Sequence, residues 1–265
     1  DGGTLYAASG RADVVALDAA TGKLRWRVKT AAGARSAPTV LDGRLYIPTL
    51  DDRLLGLSTT DGKEIWSYQP PSTETSMLGL PAPASADGIV VAGFATGDLQ
   101  AVRAISGTVV WTDNLAAARG RSARAESSSI HAKPLSRDGI VYAISLGGLM
   151  VAIDLRSGRR LWAHGIAAGN TPWLAGDWLY VLATDNELAA IATADGAVAW
   201  VSALERFGNP KKQSDPISLV GPVMAGGRLL LVDSTGAMLI YDPVTGKQIG
   251  RQPVAGAGTV APVVA

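Results

Sequence analysis

The chain has 265 residues, 47% of them hydrophobic and 18% charged, with a formal net charge of +1 and a sequence pI near 8.2. Such apolar content excludes a disordered chain and suffices for one large β domain or two ordinary ones, and a charge balance without a clustered basic face predicts no nucleic-acid partner. There are no cysteines, which removes disulfides, thiolate metal sites and a cysteine nucleophile, and no run approaches the ~20 apolar residues of a spanning helix.

The chain opens on Asp1-Gly2-Gly3-Thr4-Leu5-Tyr6, a turn leading into a strand, with no signal peptide. So abrupt a start leads us to expect natural sequence before it. One pattern then recurs six times. Residues 14–26 read VVALDAATGKLRW, 54–66 LLGLSTTDGKEIW, 99–111 LQAVRAISGTVVW, 150–162 MVAIDLRSGRRLW, 188–200 LAAIATADGAVAW and 238–250 MLIYDPVTGKQIG, the last with Gly250 in place of tryptophan. Each copy has a glycine four residues before its last position: Gly22, Gly62, Gly107, Gly158, Gly196 and Gly246. Trp26, Trp66, Trp111, Trp162 and Trp200 are separated by 40, 45, 51 and 38 residues, a spacing that fits one four-stranded blade per repeat.

A second hairpin precedes most copies. Ala37-Pro38-Thr39-Val40 runs to Asp42-Gly43 and then Leu45-Tyr46-Ile47, and Asp87-Gly88, Asp138-Gly139 and Gly226-Gly227 mark the same turn elsewhere. In 37–70 the strands are predicted at roughly 37–41, 44–49, 53–58 and 63–69, with Leu54, Gly56 and Ser58 on one face of the third and Leu55 and Leu57 on the other. No segment longer than ~10 residues shows helical periodicity. The predicted fold class is all-β, a β-propeller of four-stranded antiparallel blades, because a small sheet with two apolar faces must stack on neighbours. The predicted blades are 1–30 (partial), 37–70, 81–115, 131–166, 169–205 and 219–253, and 259–265 reads as the start of a next blade or a closing strand. Either the ends meet in a six-bladed ring or a larger ring has been cut at both ends.

Single residues have competing readings. Repeat tryptophans at equal positions favour packing between blades over stacking on a ligand. Trp173 and Trp178 fall outside the repeat position and suit core or surface. Asp42, Asp61, Asp87, Asp138 and Asp195 serve turns. Asp51-Asp52 and Asp185-Asn186-Glu187 sit at hairpin tips and read as solvated turns rather than metal ligands. His164 follows a repeat tryptophan and reads as exposed. Arg119, Arg121 and Arg124 read as a solvated loop. Two excursions, 112–130 and 203–218, are longer than the other loops, and loops carry most function.

The motif A-x-D-x-x-T-G-x-x-x-W, intact from Ala16 to Trp26, resembles the repeat of pyrroloquinoline-quinone dehydrogenases and their non-enzymatic relatives. Among those relatives the chain is similar to the BamB family, propeller lipoproteins of the outer-membrane β-barrel assembly machinery. The likeness extends to Met-Leu-Gly-Leu-Pro-Ala-Pro at 77–83, Ile-His-Ala-Lys-Pro at 130–134, Val151 to Gly158, Asn170-Thr171-Pro172-Trp173 and Asp215-Pro216-Ile217. It implies an eight-bladed ring, of which this chain would hold most of the second blade through the seventh, and favours the cut ring. It also implies a lipid-anchored cysteine upstream that tethers the protein to the periplasmic face of the outer membrane.

Three functions are weighed. The resemblance implies a non-catalytic scaffold that binds the periplasmic domains of the barrel-assembly protein, with unfolded outer-membrane proteins as a second class of partner and the membrane reached only through the anchor. Its partner-binding loops map near Thr75, Met77 and Leu78 and near Ser129 and His131. Leu78 stands where the family can show arginine, and Ser129 and His131 replace an acidic pair, so the loop positions transfer while the charges do not. A quinone-dependent dehydrogenase would need bound calcium, a catalytic carboxylate and often adjacent cysteines; neither a catalytic residue nor a cofactor or metal is expected here. A ligand-binding periplasmic propeller is the third reading.

Overall fold

The computed structural model describes residues 2–71, 80–116 and 128–254. They form two compact units, Asp1–Gly165 and Ile166–Ala265.

The first unit begins with a three-stranded sheet, β1 (Thr4–Ala8), β2 (Asp13–Asp18) and β3 (Leu24–Lys29). Three four-stranded sheets follow. They are β4 (Thr39–Leu41), β5 (Arg44–Pro48), β6 (Leu54–Ser58) and β7 (Glu64–Tyr68); β8 (Ala84–Ala86), β9 (Ile89–Gly93), β10 (Asp98–Arg103) and β11 (Val109–Asn114); and β12 (Leu135–Arg137), β13 (Ile140–Ile144), β14 (Met150–Asp154) and β15 (Arg160–His164). The second unit holds β16 (Trp173–Ala175), β17 (Trp178–Leu182), β18 (Glu187–Ala192) and β19 (Val198–Ala203), then a two-stranded hairpin, β20 (Phe207–Asn209) and β21 (Ser214–Pro216). It ends with β22 (Leu219–Ala225), β23 (Arg228–Asp233), β24 (Ala237–Tyr241) and β25 (Gln248–Pro253). All pairs are antiparallel, and each sheet is a meander of sequential neighbours. No helix occurs among the described residues.

Turn chemistry explains the meander. Asp42 and Gly43 have φ of 50° and 71°, Asp87 and Gly88 50° and 72°, and Asp138 and Gly139 52° and 74°. Two consecutive positive φ values are what a tight hairpin between right-twisted strands requires. The later hairpin is fastened differently. Asp18 Oδ1 accepts the Thr21 amide at 2.9 Å and its hydroxyl at 2.8 Å, and the Gly22 amide donates to the Asp18 carbonyl at 2.8 Å. Asp154 with Ser157, and Asp242 with Thr245, repeat that cap.

Every copy also contains a register shift that the sequence reading did not foresee. It falls at Ala16/Leu17, Gly56/Leu57, Ala101/Val102, Ala152/Ile153, Ala190/Ile191 and Ile240/Tyr241. The extra residue aims the tryptophan across the small residue it pairs with: Ala16 with Trp26, Gly56 with Trp66, Ala101 with Trp111, Ala152 with Trp162 and Ala190 with Trp200. In the sixth copy the sizes are exchanged, for Gly250 pairs with Ile240. A Cβ on Gly250 would lie 3.2 Å from Ile240 Cδ1, so the isoleucine occupies the volume that an indole fills elsewhere.

The alternation in the third strand of the 37–70 blade separates two faces that are both covered. Leu54, Leu55, Gly56 and Leu57 are all buried. Sheets on both sides cover this strand: Leu54 packs with Phe94, Val90 and Val102 of the following sheet, and Leu55 and Leu57 with Val14 of the preceding one. In the second unit, Tyr180, Leu182 and Leu188 pack with Leu229, Leu231 and Leu239, and Trp173 lies partly buried against them. Trp178 is exposed. The excursion expected at 203–218 contains the β20–β21 hairpin. Residues 259–265 and Arg119, Arg121 and Arg124 lie outside the described residues, as does any ladder between 259–265 and the first strand.

Candidate functional site

Within each unit, tryptophans join one sheet to the next. The indole N–H of Trp26 donates to the Thr59 carbonyl at 2.9 Å, that of Trp66 to Ala104 at 3.0 Å, that of Trp111 to Leu155 at 2.7 Å and that of Trp200 to Pro243 at 3.0 Å. Each acceptor stands three residues before the repeat glycine of the next sheet. A Cβ on Gly62, Gly107 or Gly158 would come within 2.8, 2.6 and 2.6 Å of the docked indole, which is why this turn carries glycine. A tyrosine leans on the other side of most rings: Tyr6 on Trp26, Tyr46 on Trp66, Tyr142 on Trp162 and Tyr180 on Trp200, with centroids 5.8–6.1 Å apart. Burial pushes the Tyr46 hydroxyl up to about 12, and it stays a donor to the Ala104 carbonyl at 3.2 Å. Trp162 also lies 5.7 Å from His164, which is half-buried rather than exposed because the ring covers one of its sides.

The frame presents one kind of edge where hairpin tips of the β1–β2 and β5–β6 type meet the segment entering the next sheet. In the first unit, Ala34 donates to the Ser9 carbonyl at 3.0 Å and Leu50 to the Gly33 carbonyl at 2.8 Å, so residues 33–34 are wedged between two tips. Residues 128–130 are held likewise. Ile130 donates to Phe94 at 3.2 Å and Leu146 to the Ser129 carbonyl at 3.0 Å, while a Cβ on Gly97 would meet the Ser128 carbonyl at 2.7 Å. Ser145 Oγ donates to the Leu115 carbonyl at 2.7 Å and ties the same corner to the end of β11.

This corner holds the two described members of the predicted partner loops. Ser129 is 5% exposed, with its side chain inside the wedge, whereas His131 is half-exposed beside buried Ile130 and Ala132. Burial pushes the His131 pKa down, so the imidazole is neutral at pH 7. Thr75, Met77 and Leu78 lie outside the described residues. Sequence reading passed over Ser145 and the carbonyl acceptors, since backbone acceptors and a lone serine leave no pattern.

The acidic tips differ from solvated turns. Asp51 is exposed and bonded to Thr49 and Arg53, but Asp52 is 1% exposed and held at a φ of 64°. In the second unit Asp185 and Glu187 lie 3.8 and 4.0 Å from Arg206. Asn186, at a φ of 61°, donates from Nδ2 to the Glu205 and Ile217 carbonyls at 2.9 Å each. One amide thereby clamps both roots of the β20–β21 hairpin, whose tip residues Pro210, Lys211 and Lys212 are exposed. Among the described residues no group of three His, Asp or Glu side chains comes together as a metal cage would need.

Comparisons with known proteins agree with one another. The family model described as outer membrane protein assembly factor BamB matches residues 1–202. Outer membrane protein assembly factor BamB of Yersinia pestis is 30% identical over 267 residues, covering 100% of this chain and 65% of the relative. That of Salmonella typhimurium is 30% identical, covering 97% of this chain and 63% of the relative. The chain thus spans just under two thirds of the length of the curated relatives it matches. A crystal structure of BamB from Moraxella catarrhalis superposes with a TM-score of 0.83 at 24% identity, covering 99% of this chain and 77% of that one. A europium-containing methanol dehydrogenase superposes with a TM-score of 0.72 at 13% identity, covering 97% of this chain and 70% of that one. These likenesses show the fold, a propeller of four-stranded antiparallel blades.

Proposed function

The chain belongs to the BamB family of outer membrane protein assembly factors, and on that premise we propose that it serves as a non-catalytic scaffold in outer-membrane protein assembly. In this reading it works at the periplasmic face of the outer membrane, tethered in its natural form by a lipid anchor, and holds the periplasmic domains of the barrel-assembly protein. The observation that carries the proposal is the family match across residues 1–202, three quarters of the chain. The physical support is the frame itself. Interlocked tryptophans and wedged connectors fix loop positions before a partner arrives, which lowers the ordering cost of binding. In the first unit the proposed contact is the corner formed by 128–134 and the tips at Phe94–Gly97 and Ser145–Gly148, with His131 as the half-exposed side chain, and the family resemblance adds Thr75, Met77 and Leu78 as a second segment.

The test is titration of the purified periplasmic domains of the barrel-assembly protein with this chain. Saturable binding that His131→Ala weakens about tenfold, roughly 1.4 kcal/mol, with Tm unchanged, supports the scaffold. Absence of saturable binding, or stoichiometric quinone binding with dye reduction, overturns it.

A further inference from the structure

Five internal Asp-Gly pairs occur in the chain, and the fold divides them between two kinds of turn. Asp61-Gly62 and Asp195-Gly196 lie between the third and fourth strands of their sheets. Both glycines are buried, and their amides are engaged, Gly62 donating to the Ser58 carbonyl at 2.9 Å and Gly196 to the Ala192 carbonyl at 3.0 Å. The carboxylates are engaged too, since Asp61 Oδ1 accepts the Lys63 amide at 3.2 Å and Asp195 Oδ1 the Ala197 amide at 2.9 Å. A Cβ on Gly62 would lie 2.8 Å from the Trp26 ring, so this turn is also pinned by packing. Asp42-Gly43, Asp87-Gly88 and Asp138-Gly139 are instead the two-residue turns between the first and second strands. Each aspartate is exposed, and no glycine of the three is buried. The glycine carbonyls accept the amides of Thr59, Ala104 and Leu155 at 2.9–3.0 Å, but among the described residues the glycine amides donate no hydrogen bond. The carboxylates of Asp42 and Asp87 accept none, and that of Asp138 lies 3.7 Å from Arg137 Nε, a pair open to solvent.

We propose that Asp42, Asp87 and Asp138 are sites of spontaneous isoaspartate formation in the folded protein, and that Asp61 and Asp195 are protected from it. The nitrogen of the following glycine attacks Cγ of the protonated aspartate carboxyl. The amide proton and the carboxyl hydroxyl leave together as one water, and the new C–N bond closes a succinimide ring. A second water then opens the ring. Attack at Cγ returns aspartate, and attack at the backbone carbonyl leaves the main chain running through Cβ as isoaspartate. One water leaves and one enters, so the mass is unchanged and no oxidant or cofactor is needed. Ring closure requires an amide free to lose its proton and an aspartate free to rotate, which the first kind of turn denies and the second supplies. Asp61 is further disfavoured because the Lys63 amide, with Ser58, holds its carboxyl below the usual carboxylate range and so in the form that does not lose water.

The product matters to the fold. Isoaspartate adds one carbon to the backbone of a two-residue turn, and turn length sets hairpin register. The strands on the near side, β4, β8 and β12, are three residues long and joined to their sheets by three residue pairs each. Isomerisation therefore loosens a strand with few pairs to spare. The matching turns of the second unit, Gly176-Asp177 and Gly226-Gly227, contain no Asp-Gly, so this ageing belongs to the first unit. The inference is independent of the scaffold reading, since it concerns the covalent lifetime of the turns and not what the protein holds.

The test is to hold the folded protein for weeks in mildly acidic buffer below its thermal transition, beside a sample in guanidinium chloride. Peptide mapping then reads isoaspartate as peptides of unchanged mass that elute apart and resist a protease that cuts before normal aspartate. In the folded sample, positions 42, 87 and 138 should isomerise at least about tenfold faster than 61 and 195, the factor that ~1.4 kcal/mol of added barrier gives. In denaturant the five rates should converge. Asp87→Glu keeps the charge but would need a larger ring, so it should abolish the altered peptide at 87 and leave 42 and 138 unchanged. A lower-melting fraction should grow in step with the modified peptides. Equal rates at all five positions of the folded protein would overturn the proposal, and so would protection of all five relative to denaturant. An altered peptide that persists at 87 in Asp87→Glu would remove the succinimide from the account.

Discussion

Trp66 Nε1 donates to the carbonyl of Ala104, 38 residues further on, at 3.0 Å. That bond crosses from the outer strand of one sheet to the hairpin of the next, and the ring beside it is 8% exposed. Trp66→Ala should therefore destabilise by ~3–5 kcal/mol through lost burial and an unfilled cavity, while Trp66→Phe should cost less by keeping part of the ring. Urea denaturation measures both. A loss under ~1 kcal/mol for the alanine variant would mean that the indole does not hold the sheets together.

The exchange of sizes at Ile240 and Gly250 predicts non-additivity. Gly250→Trp alone should destabilise by ~1–3 kcal/mol, because its Cβ already crowds Ile240. Adding Ile240→Ala should recover part of that loss, although Ile240→Ala by itself costs ~2–5 kcal/mol as a buried truncation. A double-mutant cycle decides. Strict additivity would show that the two positions do not share one volume.

Arg160 on β15 forms a fork with Asp113 on β11, Nε to Oδ2 at 2.7 Å and Nη2 to Oδ1 at 2.6 Å, and Nη2 also reaches the Asn114 carbonyl at 2.9 Å. The guanidinium is 39% exposed, so solvent screens the pair and its coupling should be ~0.5–1 kcal/mol. Arg160→Lys should lose most of that, since an ammonium cannot present two parallel donors. The coupling should shrink in 1 M salt, and a salt-independent value would contradict the exposed geometry.

Asp233 supplies the clearest dependence on pH. Burial pushes its carboxyl up, but hydrogen bonds from Thr235 and Ala237, with Arg251 at 3.3 Å, outweigh burial and hold it below the usual carboxylate range. A lowered folded value means that the unfolded chain binds the proton first. The contribution is complete above the unfolded value of about 3.9 and disappears as pH falls through the lower folded value. Asp233→Asn should flatten the loss of Tm between pH 5 and pH 2 without abolishing it, since Asp18, Asp154 and Asp242 are also held low by their turn partners. An unchanged profile would remove Asp233 from the acid transition.

The sequence determined the repeat, and with it the strands, because its signals are local. Asp-Gly demands two positive φ values in a row, and a glycine four residues before tryptophan marks a turn whatever surrounds it. The same locality left the burial of single residues undecided. Leu55 and Leu57 were separable from Leu54 and Gly56 as two apolar faces, and packing shows which residues of the neighbouring sheets cover Leu54 on one side and Leu55 and Leu57 on the other. Asp52 looked like its neighbour Asp51, and the fold buries one and exposes the other. Ser129 and His131 are two residues apart on one connector, and the wedge between hairpin tips turns the first inward and leaves the second partly in solvent. Tertiary structure alone assigned the carbonyls of Thr59, Ala104, Leu155 and Pro243 as indole acceptors, because every residue has a carbonyl and only the approach of a distant strand selects one. It alone gave Gly250 a reason, since the volume left by the missing indole is filled by a residue on a different strand.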